Sequence, residues 1–193
     1  MNFEFASKTL GQMVSDKTDV LVVLVPDGFK PQRDGLSKLI GDALKTEALE
    51  SKAGKTLSSW RSPEVAAQRL VLAGIGDGSP TQVRTGVAAA MAIVKSTGSK
   101  RLSLCFPTAC TGDALRVAAL AVADGCYAYT TTKSRPEGRK LTGVVISVPG
   151  AALSEDLRHA KAVISGIELA KEWANRPANH ATPTKLARAA HAL

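Results

Sequence analysis

An unbroken run of aliphatic residues, Val20-Leu21-Val22-Val23-Leu24-Val25, constrains the fold of this chain more than any other segment. A strand with one face in water alternates apolar and polar side chains, whereas this run has no polar position. Its length and its β-branched valines are typical of a strand. The run therefore predicts a strand that is covered on both faces, at the centre of a sheet with helices on either side.

Strand patterns and helix patterns alternate along the rest of the chain. The other expected strands are residues 2–6 at an edge, Thr56–Trp60, Leu70–Ala73, Arg101–Phe106 and Gly143–Val148. Helices are expected from near Asp34, from Pro80 and over Thr111–Tyr129. This alternation predicts an α/β domain with a mixed, partly parallel sheet between helices.

The helix that begins at Pro80 has the clearest start signal in the sequence. Ser79 can cap it, Pro80 fits its first position, and Gln82 would complete a capping box. The residues expected to face the core of this helix and of the following one are Val83, Val87, Met91 and Val94, then Leu115, Ala119 and Val122.

A long amphipathic helix is predicted over residues 154–174, with its first turn capped by Ser154 and with Glu155 and Asp156 near its positive end. Its apolar stripe consists of Leu157, Ala160, Ile164, Ile167, Ala170 and Ala174. Pro177 ends this helix near Asn175, and Thr182-Pro183 starts another that carries Leu186, Ala190 and Leu193. We expect the chain to stop within that element.

The segment Asn175-Arg176-Pro177-Ala178-Asn179-His180-Ala181-Thr182-Pro183 resembles the Asn-x-Pro-x-Asn junction between the two domains of leucyl aminopeptidases, also called cytosol aminopeptidases. The stretches Gly54–Leu57 and Arg69–Gly76 resemble the middle of the N-terminal domain of that family. The resemblance implies a macro-domain-like α/β fold. It also implies an N-terminal domain over 1–152, a linker helix over 153–176 and the start of a truncated catalytic domain over 177–193.

The resemblance further implies a parent enzyme that removes N-terminal amino acids from peptides with two divalent metal ions, manganese or zinc. Family members form hexamers, and the N-terminal domain is expected to support assembly and access to the active site, with its own catalytic domain as partner. Because no signal-like segment opens the sequence and no apolar run reaches the length of a membrane span, a cytoplasmic location is expected. The catalytic motif Asn-Thr-Asp-Ala-Glu-Gly-Arg does not occur here. We therefore expect this chain to have no catalytic, cofactor-binding or metal-ligating residues and to be inactive alone.

The net charge of +8 leaves open an alternative, a stand-alone basic macro-like module that binds nucleotide or nucleic acid. The basic residues concentrate at Lys133, Arg135, Arg139 and Lys140, in the segment 133–140, where no aromatic residue offers a stacking surface. A solvated loop is therefore favoured over a polyanion site. No stretch is long and apolar enough for a membrane span, so no membrane partner is expected.

The glycine-rich sequence Gly74-Ile75-Gly76-Asp77-Gly78 could cradle a phosphate, but its spacing is G-x-G-x-G and a plain tight turn is favoured. The three histidines (His159, His180, His191) are too scattered for a metal site, and the three cysteines (Cys105, Cys110, Cys126) suit free thiols. Trp173 either anchors a partner domain or packs on its own domain, while Trp60 is expected to pack normally.

Overall fold

The computed structural model describes residues 1–150 and 152–192. Its strands are β1 (Asn2–Ala6), β2 (Val20–Val25), β3 (Thr56–Trp60), β4 (Arg69–Gly74), β5 (Arg101–Cys105) and β6 (Gly143–Ser147). Its helices are α1 (Leu10–Met13), α2 (Gly35–Lys45), α3 (Pro80–Ser96), α4 (Gly112–Cys126), α5 (Ser154–Ala174) and α6 (Pro183–His191).

The described strands form one six-stranded sheet in the order β1-β6-β5-β2-β4-β3. All neighbouring strands are parallel except β3, which pairs antiparallel with β4. The mixed, partly parallel sheet is therefore confirmed, with β1 at one edge and β2 inside, between β5 and β4.

Side chains of β2 alternate between two apolar clusters, which explains why the strand has no polar position. Val20, Val22 and Leu24 pack into the cluster that includes α3, α4 and the first half of α5. Leu21, Val23 and Val25 pack into the cluster beneath α1 and α2. All six residues are buried, so the sheet has helices on both faces.

Helix ends agree with the sequence in most places, and the exceptions lie at α3, α4 and α5. Asp34 caps α2 by accepting a hydrogen bond from the Ser37 amide at 2.8 Å. Ser154 is the first residue of α5 rather than its cap, which is Leu153. Helix α4 ends at Cys126 rather than Tyr129 because Tyr127 adopts an extended backbone.

The prediction of a capping box at α3 is wrong, because Ser79 and Gln82 do not bond to each other's amides. Ser79 is the N-cap residue, but its side chain makes no capping hydrogen bond. Gln82 Oε1 instead accepts from the Asp77 amide at 3.3 Å, and the Asp77 carboxylate accepts from the Ser79 amide at 2.8 Å. The amides of Asp77 and Ser79 in the glycine-rich turn thus have side-chain acceptors from neighbouring residues.

Trp60 and helix α1 are the other departures from expectation. Trp60 is 56% exposed at the end of edge strand β3, so the expectation of normal packing is wrong. Helix α1 was not predicted because its four residues are too few for a periodic pattern, although Leu10 and Met13 are buried.

Candidate interdomain junction

Helix α5 changes its surroundings half way along its length. Leu157, Ala160 and Ile164 are buried in the apolar cluster shared with α3 and α4. By contrast, Val163, Ile167 and Leu169 are each 37% exposed, and the stripe residues Ala170 and Ala174 are exposed as well. The predicted apolar stripe therefore continues for about two turns beyond the part of the domain that covers it.

Polar contacts hold this second half of α5 against the last turn of α4 and the segment that follows it. Arg139 pairs with Glu168, and Thr131 donates a hydrogen bond to Glu172. Lys171 donates to Asp124 at 2.6 Å and lies 5.1 Å from the centre of the Tyr127 ring. Because these contacts come from one side of the helix, they fix its direction without covering Ile167 and Leu169.

The end of α5 carries a small stacked group. The Arg176 guanidinium lies 3.9 Å from the centre of the Trp173 ring and 3.3 Å from the Glu172 carboxylate. Trp173 is half-buried and belongs to neither apolar cluster of the domain. The structure thus favours the anchoring alternative for Trp173, since the ring does not pack into its own domain core.

A tight turn connects this group to α6. The amides of His180 and Ala181 both donate to the Pro177 carbonyl, at 2.8 and 2.9 Å. Helix α6 starts after Thr182, as predicted. None of its described residues is buried, and Leu186 is exposed. We use the name junction surface for the exposed Val163, Ile167, Leu169 and Leu186 together with the half-buried Trp173.

The glycine-rich turn does not present free amides to a phosphate. The Gly76 amide donates to the Ser51 carbonyl at 2.8 Å, and the Gly78 amide donates to the Ile75 carbonyl at 3.0 Å. Gly76 and Gly78 have positive φ angles of 52° and 75°, which glycine adopts without strain. The tight-turn interpretation therefore accounts for these glycines.

The basic segment 133–140 is mainly a solvated loop. Lys133, Arg135 and Lys140 are exposed, whereas Arg139 is occupied by Glu168 and also donates to the Cys126 carbonyl at 3.4 Å. A cleft of about 170 Å³ lies beside it, between the ends of α3 and α4. The loop therefore contributes one of its cations to the fold rather than to a ligand.

The histidines and cysteines are dispersed. His159, His180 and His191 are all exposed, and the described residues contain no group of three or more His, Cys, Asp or Glu side chains that could hold a metal ion. The three cysteines are free thiols. Burial raises the pKa of Cys105 to about 12 and that of Cys110 to about 11, with smaller contributions from Asp16 and Asp156.

Glu155 and Asp156 have different partners, as expected of neighbours on a helix. Glu155 accepts from Arg158 on the exposed side of α5, and this contact lowers the pKa of the Glu155 carboxyl. Asp156 faces the domain and pairs with Arg116 of α4. Neither carboxylate is placed to act as an acid or base on a common substrate.

Sequence reasoning did not find the contacts that orient α5. Arg139 and Glu168 are 29 positions apart, and Asp124 and Lys171 are 47 apart. No spacing rule links such residues. They meet only because the end of α4 and the segment after it pack against α5.

None of the described helices is both long and apolar enough to span a membrane.

Comparison with known proteins gives consistent results. A family model described as "Cytosol aminopeptidase family, N-terminal domain" matches residues 19–136. Probable cytosol aminopeptidases of Verminephrobacter eiseniae and Albidiferax ferrireducens are each 45% identical over the whole chain. The chain spans 37% and 40% of the length of these two relatives.

Solved structures share the fold. A lysine-to-glutamate mutant of tomato leucine aminopeptidase has a TM-score of 0.75 with 21% identity, covering 99% of this chain and 41% of the tomato chain. The bottromycin maturation enzyme BotP in complex with Mn has a TM-score of 0.65 with 16% identity, covering 89% of this chain and 35% of BotP. The alternative of a nucleic-acid module finds no support in these comparisons.

Proposed function

Because the chain belongs to the cytosol aminopeptidase family, as its N-terminal domain, we propose that it is the non-catalytic part of an enzyme that removes N-terminal amino acids from peptides. The observation that carries the proposal is the junction surface, which leaves an apolar stripe uncovered immediately before the family-like segment Asn175–Pro183. Exposed apolar patches on a soluble domain commonly mark contacts with another domain or chain.

The catalytic groups are proposed to lie in a second domain of the longer protein. Two divalent metal ions, manganese or zinc, would polarise the scissile carbonyl and activate a water molecule there. The described residues of this chain do not fit such a site, since they provide no ligand cluster. No catalytic step is therefore assigned to them. The parts proposed for this chain are to orient the second domain, to support a hexamer and to shape access for peptides, in the cytoplasm.

The ion pairs along α5 support an orienting part. Glu168 and Lys171 hold the second half of the helix at a fixed angle to the sheet, and Trp173 and Arg176 form a rigid group at its end. A domain seated on this helix would therefore have a defined position relative to the sheet. We propose that Ile167, Leu169 and Trp173 contact it directly.

A chimera tests this proposal. The chain would replace the matching N-terminal part of the Verminephrobacter eiseniae relative, to which it is 45% identical. We expect manganese-dependent hydrolysis of leucyl-p-nitroanilide by the chimera and none by the 193-residue chain alone. An inactive but folded chimera, or chelator-sensitive turnover by the chain alone, would contradict the proposal.

Two variants of the chimera locate the contact. Ile167→Glu places a charge on the junction surface and should lower activity and assembly together. Leu39→Glu is the matched control, because Leu39 is 36% exposed on α2, which packs on the opposite face of the sheet. Equal effects of the two variants would show that the junction surface is not the contact.

A further inference from the structure

The connections that follow β2 and β5 diverge to opposite faces of the sheet. The chain passes from β2 to α2, which packs in one apolar cluster, whereas β4 and β5 lead to α3 and α4 in the other cluster. Strand β2 lies between β4 and β5. In open α/β sheets, ligands bind where neighbouring connections diverge in this way, outside the carboxyl ends of the strands.

A crevice lies at this position. One part of it, about 340 Å³ in volume, lies between residues 26–30 and Pro107-Thr108. A second part, about 350 Å³, extends from Pro107-Thr108 to Thr111, the residue that caps α4. Each part is as large as the smaller binding sites for small molecules, which begin at about 300 Å³. We call the first part, which Ser37 also lines, the carboxyl-edge crevice.

The hydroxyl of Ser37 has no hydrogen-bond partner among the described residues. Ser37 lies in the first turn of α2 and is only 1% exposed, and its Oγ atom is buried. Burial of a hydroxyl without a partner destabilises a protein, so native structures rarely retain one. A ligand in the carboxyl-edge crevice would supply the partner that the chain does not.

Other groups that line the carboxyl-edge crevice are hydrogen-bond donors. The amides of Gly28 and Phe29 donate to no backbone acceptor within residues 1–150 and 152–192, and Lys30 forms no ion pair there. The Asp27 carboxylate in the same segment already accepts from the Ser51 hydroxyl at 2.5 Å. Amide, hydroxyl and ammonium donors together suit the oxygen atoms of a phosphate or a carboxylate.

We propose that the carboxyl-edge crevice binds a small organic anion, whose phosphate or carboxylate group accepts hydrogen bonds from Ser37 and Lys30. The start of α2 alone does not make this site, because the Asp34 carboxylate already accepts from the Ser37 amide. The site needs the Ser37 hydroxyl and the turn at residues 28–30 together.

This site is separate from the junction surface. The crevice continues to Thr111 at the start of α4, whereas the second half of α5 contacts Asp124 near the end of α4. Anion binding therefore does not depend on the proposed aminopeptidase function, and the 193-residue chain alone can be used to test it.

Nuclear magnetic resonance titrations test the site and identify the group that it binds. The isotope-labelled chain would be titrated with sodium phosphate and, separately, with sodium acetate at constant ionic strength. With at least one of them, the amide signals of residues 28–30 and Ser37 should shift and saturate, with a Kd below about 10 mM. The tighter ligand shows whether phosphate or carboxylate is preferred. Shifts that do not saturate with either anion, or that sodium chloride reproduces, would overturn the proposal.

Variants locate the donors. Ser37→Ala and Lys30→Gln should each weaken binding of the preferred anion at least about tenfold, because each removes a hydrogen bond to a charged group. Ser58→Ala and Lys100→Gln are matched controls, since both residues are exposed and lie on β3 and before the amino end of β5. Both controls should bind as the wild-type chain does. Equal affinities in all four variants would contradict the site.

Thermal unfolding distinguishes a ligand site from a structural role of Ser37. Without added anion, Ser37→Ala should raise the melting temperature by about 2 °C or more, because it removes an unpaired buried hydroxyl. A saturating concentration of the preferred anion should raise the melting temperature of the wild-type chain clearly more than that of Ser37→Ala. A variant that melts below the wild-type chain without anion would mean that the hydroxyl already has a partner in the free protein, and the proposal would be wrong.

Discussion

Arg139 and Glu168 form an ion pair that fastens the segment after α4 to the second half of α5, with only 19% and 31% of the two side chains exposed. A pair this far from solvent couples helix direction to the domain more strongly than an exposed pair does. It lies where the apolar packing of α5 ends. The direction of the free half of the helix therefore depends on polar contacts.

Removing one partner of this pair should destabilise the domain. Glu168→Ala leaves the Arg139 guanidinium partly buried without its carboxylate, so we expect a loss of about 1–2 kcal/mol in the free energy of unfolding, measured with urea. Glu155→Ala is the control, because the Glu155–Arg158 pair lies on the exposed side of the same helix, and it should cost clearly less than Glu168→Ala. Similar losses of unfolding free energy in both variants would show that the Arg139–Glu168 pair stabilises the domain no more than an exposed pair does.

Packing along α5 should differ between its two halves. Leu157→Ala opens a cavity in the core and should cost about 2–4 kcal/mol, since Leu157 is buried. Ile167→Ala removes a side chain that the domain does not cover and should cost less than about 1 kcal/mol. Urea denaturation of both variants measures the contrast, and equal costs would mean that Ile167 is packed in solution.

Gly74 should not tolerate a side chain. A Cβ atom there would lie 2.4 Å from the Lys52 carbonyl oxygen and 2.6 Å from those of Glu50 and Ser51. Because backbone atoms cannot move aside cheaply, Gly74→Ala should lower the free energy of unfolding by about 3 kcal/mol. Gly138→Ala, where a Cβ atom meets open space, should change it by less than about 0.5 kcal/mol. A tolerated Gly74→Ala would contradict the close approach of the two segments.

The buried thiols should make stability fall at alkaline pH. Burial raises the pKa of Cys105 to about 12 and that of Cys110 to about 11, whereas a thiol in the unfolded chain has a pKa of about 8.5. Above that value the unfolded chain releases the protons and the folded chain keeps them, so rising pH favours unfolding. Each thiol contributes up to about 1.4 kcal/mol per pH unit.

Cysteine variants isolate this contribution. The free energy of unfolding would be measured from about pH 8 to about pH 10.5, between the unfolded and folded thiol pKa values. Cys105→Ala and Cys110→Ala should each show a shallower decline than the wild-type chain. Identical slopes would mean that the thiols titrate alike in both states.

The sequence predicts those strands and helix ends that depend on interactions between neighbouring residues. The unbroken Val20–Val25 run identifies the central strand, and Asp34 and Pro183 mark helix starts, because each signal depends on a few neighbouring residues. Helix α1 and the end of α4 at Cys126 were missed, since they depend on packing and on one extended residue. Gln82 accepts a hydrogen bond from the amide of Asp77 instead of that of Ser79, because the conformation of the glycine-rich turn decides which amide lies within reach.

The position of the candidate site could be predicted from the sequence, but its side-chain contacts could not. Pro177 and the stripe ending at Ala174 indicate where the proposed junction lies, whereas the contacts of Glu168 and Lys171 join segments far apart in sequence. The exposure of Trp60 likewise depends on β3 being an edge strand. Family resemblance supplies the proposed chemistry, which the residues of this chain do not carry themselves.

Amide hydrogen exchange along α5 and α6 tests the central proposal most directly, when the 193-residue chain is compared with the active chimera. If the junction surface docks a second domain, residues 165–191 exchange more slowly in the chimera than in the chain alone, while β2 is equally protected in both. Equal protection of residues 165–191 in the two proteins would contradict the proposal.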